Sequence, residues 1–302
     1  PYAGSVGRKA GVWHGDVPDS VRRKLLSDPP DVLLTTPESI EVMLTSRRVD
    51  RPWLFGRLRA VVIDELHAFA GDDRGWHLLS VLDRASRFAG RDLQRVGLSA
   101  TIGNPDALLD WLAGSSEGPR RVVSAPQAVA ADADVKVDHV GSIENAAHVV
   151  SRLFPDEKRL VFCDSRSRVE DLTYYLRENG VEAWASHSSL SASERRQAEA
   201  AFAGGGSAVI VATSTLELGI DIGDLDRVIQ VDAPGTVSSF LHRVSRTGRR
   251  AGTRRNYLFL TTSRDSHLLA CGLARLQAQG FVEPVLPPAS PFHILAQQIL
   301  AL

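Results

Sequence analysis

Apolar and polar positions alternate along this chain in a repeating order: a short β-branched run, a turn, then a stretch with helical spacing. Runs at 32–35, 60–63 and 96–99 read as buried strands, and the stretches 37–44, 75–88 and 105–112 read as helices between and after them. Strand followed by helix implies a parallel sheet with helices on both faces. The order weakens between 113 and 135, where Gly114-Ser115-Ser116, Gly118-Pro119 and small residues from Ala125 onward accumulate. It resumes with strands at 160–163, 209–212, 228–231 and 257–260. A helix at 168–179 is closed by Gly180, as a C-terminal glycine cap would do. Another, at 191–202, starts with Ser191 and carries Glu194 three residues on, a capping-box pattern. A helix at 265–279 stops at Gly280, and after the turn-rich 284–291 a new helix begins at Phe292. No repeat of solenoid length interrupts this order. The pattern predicts an α/β protein of two similar parallel-sheet domains, 1–128 and 129–282, followed by a linker and helix start at 283–302.

Composition narrows the class. With 43% hydrophobic residues over 302 positions the chain can bury two full cores. No apolar run approaches the ~20 residues needed to span a bilayer, and no basic-then-apolar leader opens the chain. The only cysteines, Cys163 and Cys271, sit far apart in apolar stretches and read as reduced core residues, which points to the cytoplasm. A formal net charge of -1 gives no global attraction to nucleic acid. A local strip could still supply it, and Arg243, Arg246, Arg249, Arg250, Arg254 and Arg255 are candidates.

The candidate chemistry lies at strand ends. The apolar strand at 60–63 runs into Asp64-Glu65-Leu66-His67. Open α/β sheets bind ligands at the carboxyl ends of their strands. One acid there can hold Mg²⁺, and the next can orient a water against a γ-phosphate. Ser99-Ala100-Thr101 follows the next strand, where its hydroxyls could sense that site. Thr36-Pro37-Glu38 follows the strand at 32–35 and opens a helix, whose N–H groups suit a nucleic-acid phosphate. In the second half Thr213 opens a run reaching Gly219 and Asp221, and Arg246 and Arg249 lie three apart, a spacing that lets two guanidinium groups clamp a phosphoryl group. Each segment alone has an ordinary structural explanation, such as a surface strand end, a helix cap or a solvated arginine face.

Taken in order, these segments resemble motifs Ib, II, III, V and VI of the superfamily 2 helicases, the second being of the DExH subtype. Val161-Phe162-Cys163-Asp164-Ser165 resembles motif IV, and His187-Ser188-Ser189-Leu190 the block after it. DELHAFAGDDRGWHLLSVL from residue 64 and VDAPGTVSSFLHRVSRTGRR from residue 231 are similar to the large helicase-related (Lhr) group. The resemblance implies two RecA-like domains in tandem, with ATP in the cleft between them and one nucleic-acid strand, single-stranded DNA or an RNA–DNA hybrid, crossing both. It implies a monomeric motor that uses ATP and Mg²⁺. By the same resemblance Asp64 would help hold Mg²⁺, Glu65 would activate water, and His67 would couple the ATP site to the other domain. Ser99, Ala100 and Thr101 would link hydrolysis to movement. Gly219 and Asp221 would lie at the nucleotide, and Arg246 and Arg249 would act as arginine fingers. Thr36, Pro37, Glu38, Ser188 and Thr213 would lie near the nucleic-acid backbone.

The chain departs from the family pattern in three places. No Gly-x-x-x-x-Gly-Lys-Ser/Thr loop occurs among the 302 residues. The expectation is therefore a first domain truncated at its N-terminal side, a strand edge or apolar face left unpaired, and little ATPase activity from these residues alone. Ser245 stands where the family usually has glycine, which would be strained if that backbone needs φ > 0. The helix beginning at Phe292 would open a truncated winged-helix region. The competing reading is a non-catalytic nucleic-acid-binding remnant of a split or decayed helicase gene.

Overall fold

The computed structural model describes residues 2–124, 133–153, 155–190, 208–216, 225–247 and 255–301. The chain forms two compact units, Pro1–Val123 with Pro284–Leu302, and Ser124–Glu283.

In the first unit α1 (Tyr2–Ser5) leads into β1 (Ala10–Trp13), α2 (Asp19–Ser27), β2 (Val32–Thr35), α3 (Pro37–Thr45) and α4 (Arg51–Phe55). There follow β3 (Ala60–Ile63), α5 (Leu66–Ala70), α6 (Asp73–Ala89), β4 (Gln94–Gly97) and α7 (Pro105–Ala113). Among the described residues the strands form two parallel pairs, β1 with β2 and β3 with β4. Helix α6 is capped by the Asp72 carboxylate, which accepts the Arg74 N–H, and closes on Gly90 at φ 65. One stripe of α6, with Leu78, Leu79 and Leu82, packs on Ile63 and Leu112, whereas Val81, Ala85 and Ala89 pack on Met43 and Phe55. A single helix thus serves two clusters, each fully buried Leu contributing about 1.5–3 kcal/mol. Strands in parallel sheets are ordinarily covered on both faces. Here Val12, Val32, Leu34 and Val62, with Leu98 just past β4, are exposed.

The second unit comprises β5 (Ala133–His139), α8 (Ile143–Arg152), β6 (Arg159–Phe162), α9 (Arg166–Glu178), β7 (Ala183–Ser186) and β8 (Val209–Ala212). It continues with a 3₁₀ turn (Ser214–Leu216), β9 (Arg227–Val231), α10 (Val237–Val244), β10 (Arg255–Thr261) and α11 (Arg264–Ala278). Six parallel strands are described, in the order β5-β10-β9-β6-β8-β7. Every position of β6, β8 and β9 is buried, because α8 and α9 cover one face and α10 and α11 the other. Four helices start on a hydroxyl cap: Ser142, Ser165, Thr236 and Ser263 each accept the N–H three residues on.

The last helix, α12 (Phe292–Leu300), packs on α6 within the first unit. Gln298 and the Ala301 carbonyl meet Arg84 of α6 there, and Gln298 also meets Glu41 of α3.

Some expectations shift. The strand expected at 96–99 runs from Gln94 to Gly97, because it pairs with β3 in the register Ile63↔Gly97. Gly97 is needed there: a Cβ would lie 2.4 Å from Leu66 Cδ2. Cys163 is buried as expected, but Cys271 is exposed, since it lies on the outer side of α11 beside His267. The helix expected at 191–202 lies outside the described residues.

Candidate nucleotide and nucleic-acid site residues

The acidic turn begins where β3 ends. Asp64 is exposed and its Oδ1 accepts the Glu65 N–H at 3.0 Å. Glu65 occupies the left-handed region, φ 51 and ψ 44, a conformation that costs a non-glycine residue roughly 1–3 kcal/mol. Two backbone hydrogen bonds fix it: Leu98 N–H to Ile63 O and Leu66 N–H to Leu98 O, both 2.8 Å. They prolong the β3–β4 ladder past the strand ends and turn the chain sharply into α5. The turn brings His67 back against Glu65. Its Nε2 lies 3.6 Å from Glu65 Oε2 and its Nδ1 3.1 Å from Ser99 Oγ. One imidazole therefore bridges the acidic turn and the Ser99-Ala100-Thr101 segment, all three of whose residues are exposed.

Thr36 is the N-cap of α3, accepting the Ser39 N–H at 3.3 Å, and Pro37 occupies the first turn, where its missing N–H costs nothing. Glu38 is tied to Arg74 at 2.8 Å, and Arg74 stacks over the Phe69 ring. Burial raises the Glu38 pKa, but its own N–H, Arg74 and Thr36 outweigh that and hold the carboxyl below its usual range.

In the second unit Ser188 and Thr213 lie just beyond the carboxyl ends of neighbouring strands β7 and β8, which pair Ser186 with Ala212. Ser188 is exposed and Thr213 buried, its N–H bound to Ser186 O at 3.2 Å. Arg246 is half-buried in the turn past α10, which ends at Val244. Gly219, Asp221 and Arg249 lie outside the described residues, as do Arg250 and Arg254. Ser245 has φ −64, so serine sits there without backbone strain. Arg243 leaves the expected basic strip: it is buried, donates to Gln230 Oε1, and stacks 4.8 Å from the Phe162 ring centroid. Its guanidinium supports the sheet core because α10 turns that face inward.

One charged cluster escaped the sequence reading. Asp232, at φ 58 just past β9, takes the Thr262 N–H and hydroxyl at 2.7 Å each and a guanidinium N–H of Arg168. Burial works against its ionised form, but these donors hold its pKa below the usual range. The available signal was a carboxylate ending an apolar strand before Ala233-Pro234-Gly235, the same arrangement as at Asp64.

Residues 3–108 match the DEAD/DEAH box helicase family and residues 144–251 the helicase conserved C-terminal domain. The Lhr helicase/uracil glycosylase of Escherichia coli is 31% identical over 98% of this chain and 23% of its own length. The ATP-dependent helicase Lhr-Core of Methanothermobacter thermautotrophicus is 32% identical over 97% of this chain and 36% of its own. The chain thus spans about a quarter to a third of these relatives' length. The structure of the Mycobacterium smegmatis helicase Lhr bound to ssDNA and AMP-PNP superposes with TM-score 0.84 and 34% identity, covering 99% of this chain and 41% of that one. The fold is therefore that of tandem RecA-like helicases, and with both helicase domains matched in order, the chain belongs to the superfamily 2 DExH helicases of the Lhr type.

Proposed function

We propose that this chain is a partial motor core of an ATP-dependent enzyme that moves along nucleic acid and unwinds DNA or RNA–DNA hybrids. The observation that carries the reading is the acidic turn: two adjacent carboxylates at a strand's carboxyl end, one in a strained conformation, joined through His67 to Ser99. Backbone strain held by surrounding hydrogen bonds is characteristic of sites that must pre-organise a group.

The donor set suits Mg²⁺, which takes one or two carboxylates together with water and phosphate oxygens. Asp64 is the residue that would hold it, since its carboxylate is exposed and its orientation is fixed by the Glu65 N–H. When bound, the ion would neutralise charge on the β- and γ-phosphates of ATP. Glu65 then serves to orient the attacking water, and His67 passes the state of Glu65 to Ser99 and Thr101. Arg246 and Arg249 stabilise charge on the transferred phosphoryl group, and Gly219 and Asp221 belong to the nucleotide's surroundings. Thr36, Pro37, Ser188 and Thr213 would lie near the nucleic-acid backbone, at helix and strand ends where hydroxyls and N–H groups suit phosphate oxygens. Glu38 belongs to the same set and pairs with Arg74. The ssDNA and AMP-PNP of the M. smegmatis structure support both ligand classes.

The phosphate grip is not supplied by these residues, which contain no Gly-Lys-Ser/Thr loop. The test therefore uses a protein carrying these residues together with such a loop. Glu65→Gln there should abolish nucleic-acid-stimulated phosphate release while leaving ATP binding largely intact. Normal turnover in that variant would remove Glu65 from the role.

A further inference from the structure

A second chemical cluster lies on α11, wholly within the second unit and outside the residues assigned above. Thr261, which ends β10, is fully buried, and its hydroxyl meets three groups. It donates to Asp138 O at 3.1 Å, and its other neighbours are His267 Nδ1 at 3.1 Å and His139 Nδ1 at 3.3 Å. A hydroxyl has one proton and two lone pairs. The carbonyl can only accept, so the proton goes to Asp138 O and both imidazoles donate to Thr261 Oγ1. That fixes the tautomer: His267 carries its proton on Nδ1 and keeps Nε2 as an acceptor. Nε2 lies 3.8 Å from Cys271 Sγ, within reach of a thiol hydrogen bond, because the two residues are one turn apart on α11. The His139 ring meets the His267 ring edge to face, with centroids 5.7 Å apart, and packs it in place.

Cys271 is exposed and sits in the middle of the 15-residue α11, too far from its N-terminus for the helix dipole to ionise the thiol. His267 is the group placed to do so. A nucleophile, a base within hydrogen-bond reach and a third group orienting that base form the arrangement of an activated nucleophile. Arg264 and Arg275, seven residues before Cys271 and four after it, fall on the same side of α11, and both are exposed. Helix α10, which also packs on α11, carries His242 and Arg243, the latter bound to Gln230. We propose that Cys271 is a base-activated thiol that forms mixed disulfides with anionic low-molecular-weight disulfides. His267 Nε2 takes the thiol proton while Sγ attacks one sulfur of the disulfide. A new S–S bond forms at Cys271, the disulfide's own S–S bond breaks, and the departing thiolate takes the proton from His267. One thiol and one disulfide become one mixed disulfide and one thiol; the Cys271 sulfur is oxidised and the departing sulfur reduced. Arg264 and Arg275 favour carboxylates on the incoming disulfide, and Thr261 is a positioning residue that acts through His267. The site is independent of the ATP-dependent reading above.

Reaction of the 302-residue chain with glutathione disulfide, followed by intact-protein and peptide mass spectrometry, tests this. At pH 7 the adduct should form on Cys271. His267→Ala and His267→Gln should each slow it about tenfold, since an unassisted thiol is only a few per cent ionised there. Thr261→Val, which keeps the shape but loses the hydroxyl, should give a rate between these and wild type. At pH 10, where thiols ionise unaided, every variant should react at the wild-type rate. A gap that persists at pH 10 would mean that His267 and Thr261 only control access to the thiol. A loss below twofold at pH 7 in both His267 variants would remove His267 as the base. Either result overturns the proposal. The rate with glutathione disulfide relative to that with cationic cystamine should fall several-fold when Arg264→Ser and Arg275→Ser are combined, and an unchanged ratio would overturn the preference for anionic disulfides.

Discussion

Glu41 should be the most costly single charge to remove from the first unit. It sits on α3 with 14% of its side chain exposed and accepts from Arg84 at 2.5 Å, Gln298 at 2.9 Å and His77 at 3.2 Å. Arg84 is itself buried at 8% exposure, and its other hydrogen bonds go to neutral oxygens of Gln298 and Ala301. Glu41→Ala therefore leaves a guanidinium in the interior without its counter-charge and loosens α12 at the same time. Breaking a buried pair from one side costs about 3–5 kcal/mol. At roughly 3 °C per kcal/mol for a unit of this size, the first unit's Tm should fall by roughly 10–15 °C. Urea or thermal melting followed by tryptophan fluorescence reads this unit selectively, because Trp13, Trp53, Trp76 and Trp111 lie in it and only Trp184 lies in the other. Replacing the pair together, Glu41→Leu with Arg84→Met, should recover most of the loss, since an apolar pair leaves no charge stranded. The pH dependence has a definite sign. Burial raises the Glu41 pKa, but hydrogen bonds from Gln298, Arg84 and His77 and the Arg84 charge bring it below its unfolded value of 4.5. Its contribution is complete above that value and is lost as pH falls through the lower folded value. The gap between wild type and Glu41→Ala should therefore be widest near neutrality and close in acid. A loss below about 1 kcal/mol at pH 7, the scale of an exposed pair, would refute the reasoning and mean that water reaches Arg84.

Other outcomes follow from the same geometry. Arg246→Ala, in a protein that also carries a phosphate loop, should reduce turnover by about 10³–10⁵, the range for arginine fingers in related NTPases; a loss below tenfold would assign Arg246 to the surface. The 302 residues alone should release little or no phosphate from ATP in a colorimetric assay with single-stranded DNA, and robust turnover would contradict that. One thiol should react with a disulfide reagent in the native protein and two in urea. Burial, aided by Asp164, pushes the Cys163 thiol pKa up to about 12, whereas Cys271 is exposed. Two fast-reacting thiols in the native state would show that the β6 end opens readily.

What depended on neighbours in sequence was legible before any coordinates. Strands at 32–35, 60–63 and 209–212 stand where apolar, β-branched runs put them, and 209–212 is also buried at every position, as a strand between two helical layers should be. The acids end their strand as read, and Gly180 and Gly280 take positive φ to close helices, a local steric matter. Other features were settled only by partners distant along the chain. Whether Arg243 faces solvent or Phe162 depends on which side of α10 the sheet lies. The left-handed turns at Glu65 and Asp232 come from hydrogen bonds to neighbouring strands, to Leu98 in one case and Thr262 in the other. The contact of Gln298 with Glu41 joins residues 257 apart, and no periodicity encodes such a pairing. The sequence by itself determined where charge and apolar surface occur along each element. Tertiary structure alone decided which charges face each other, because burial and counter-charge are properties of the space around a side chain and not of its neighbours in the chain.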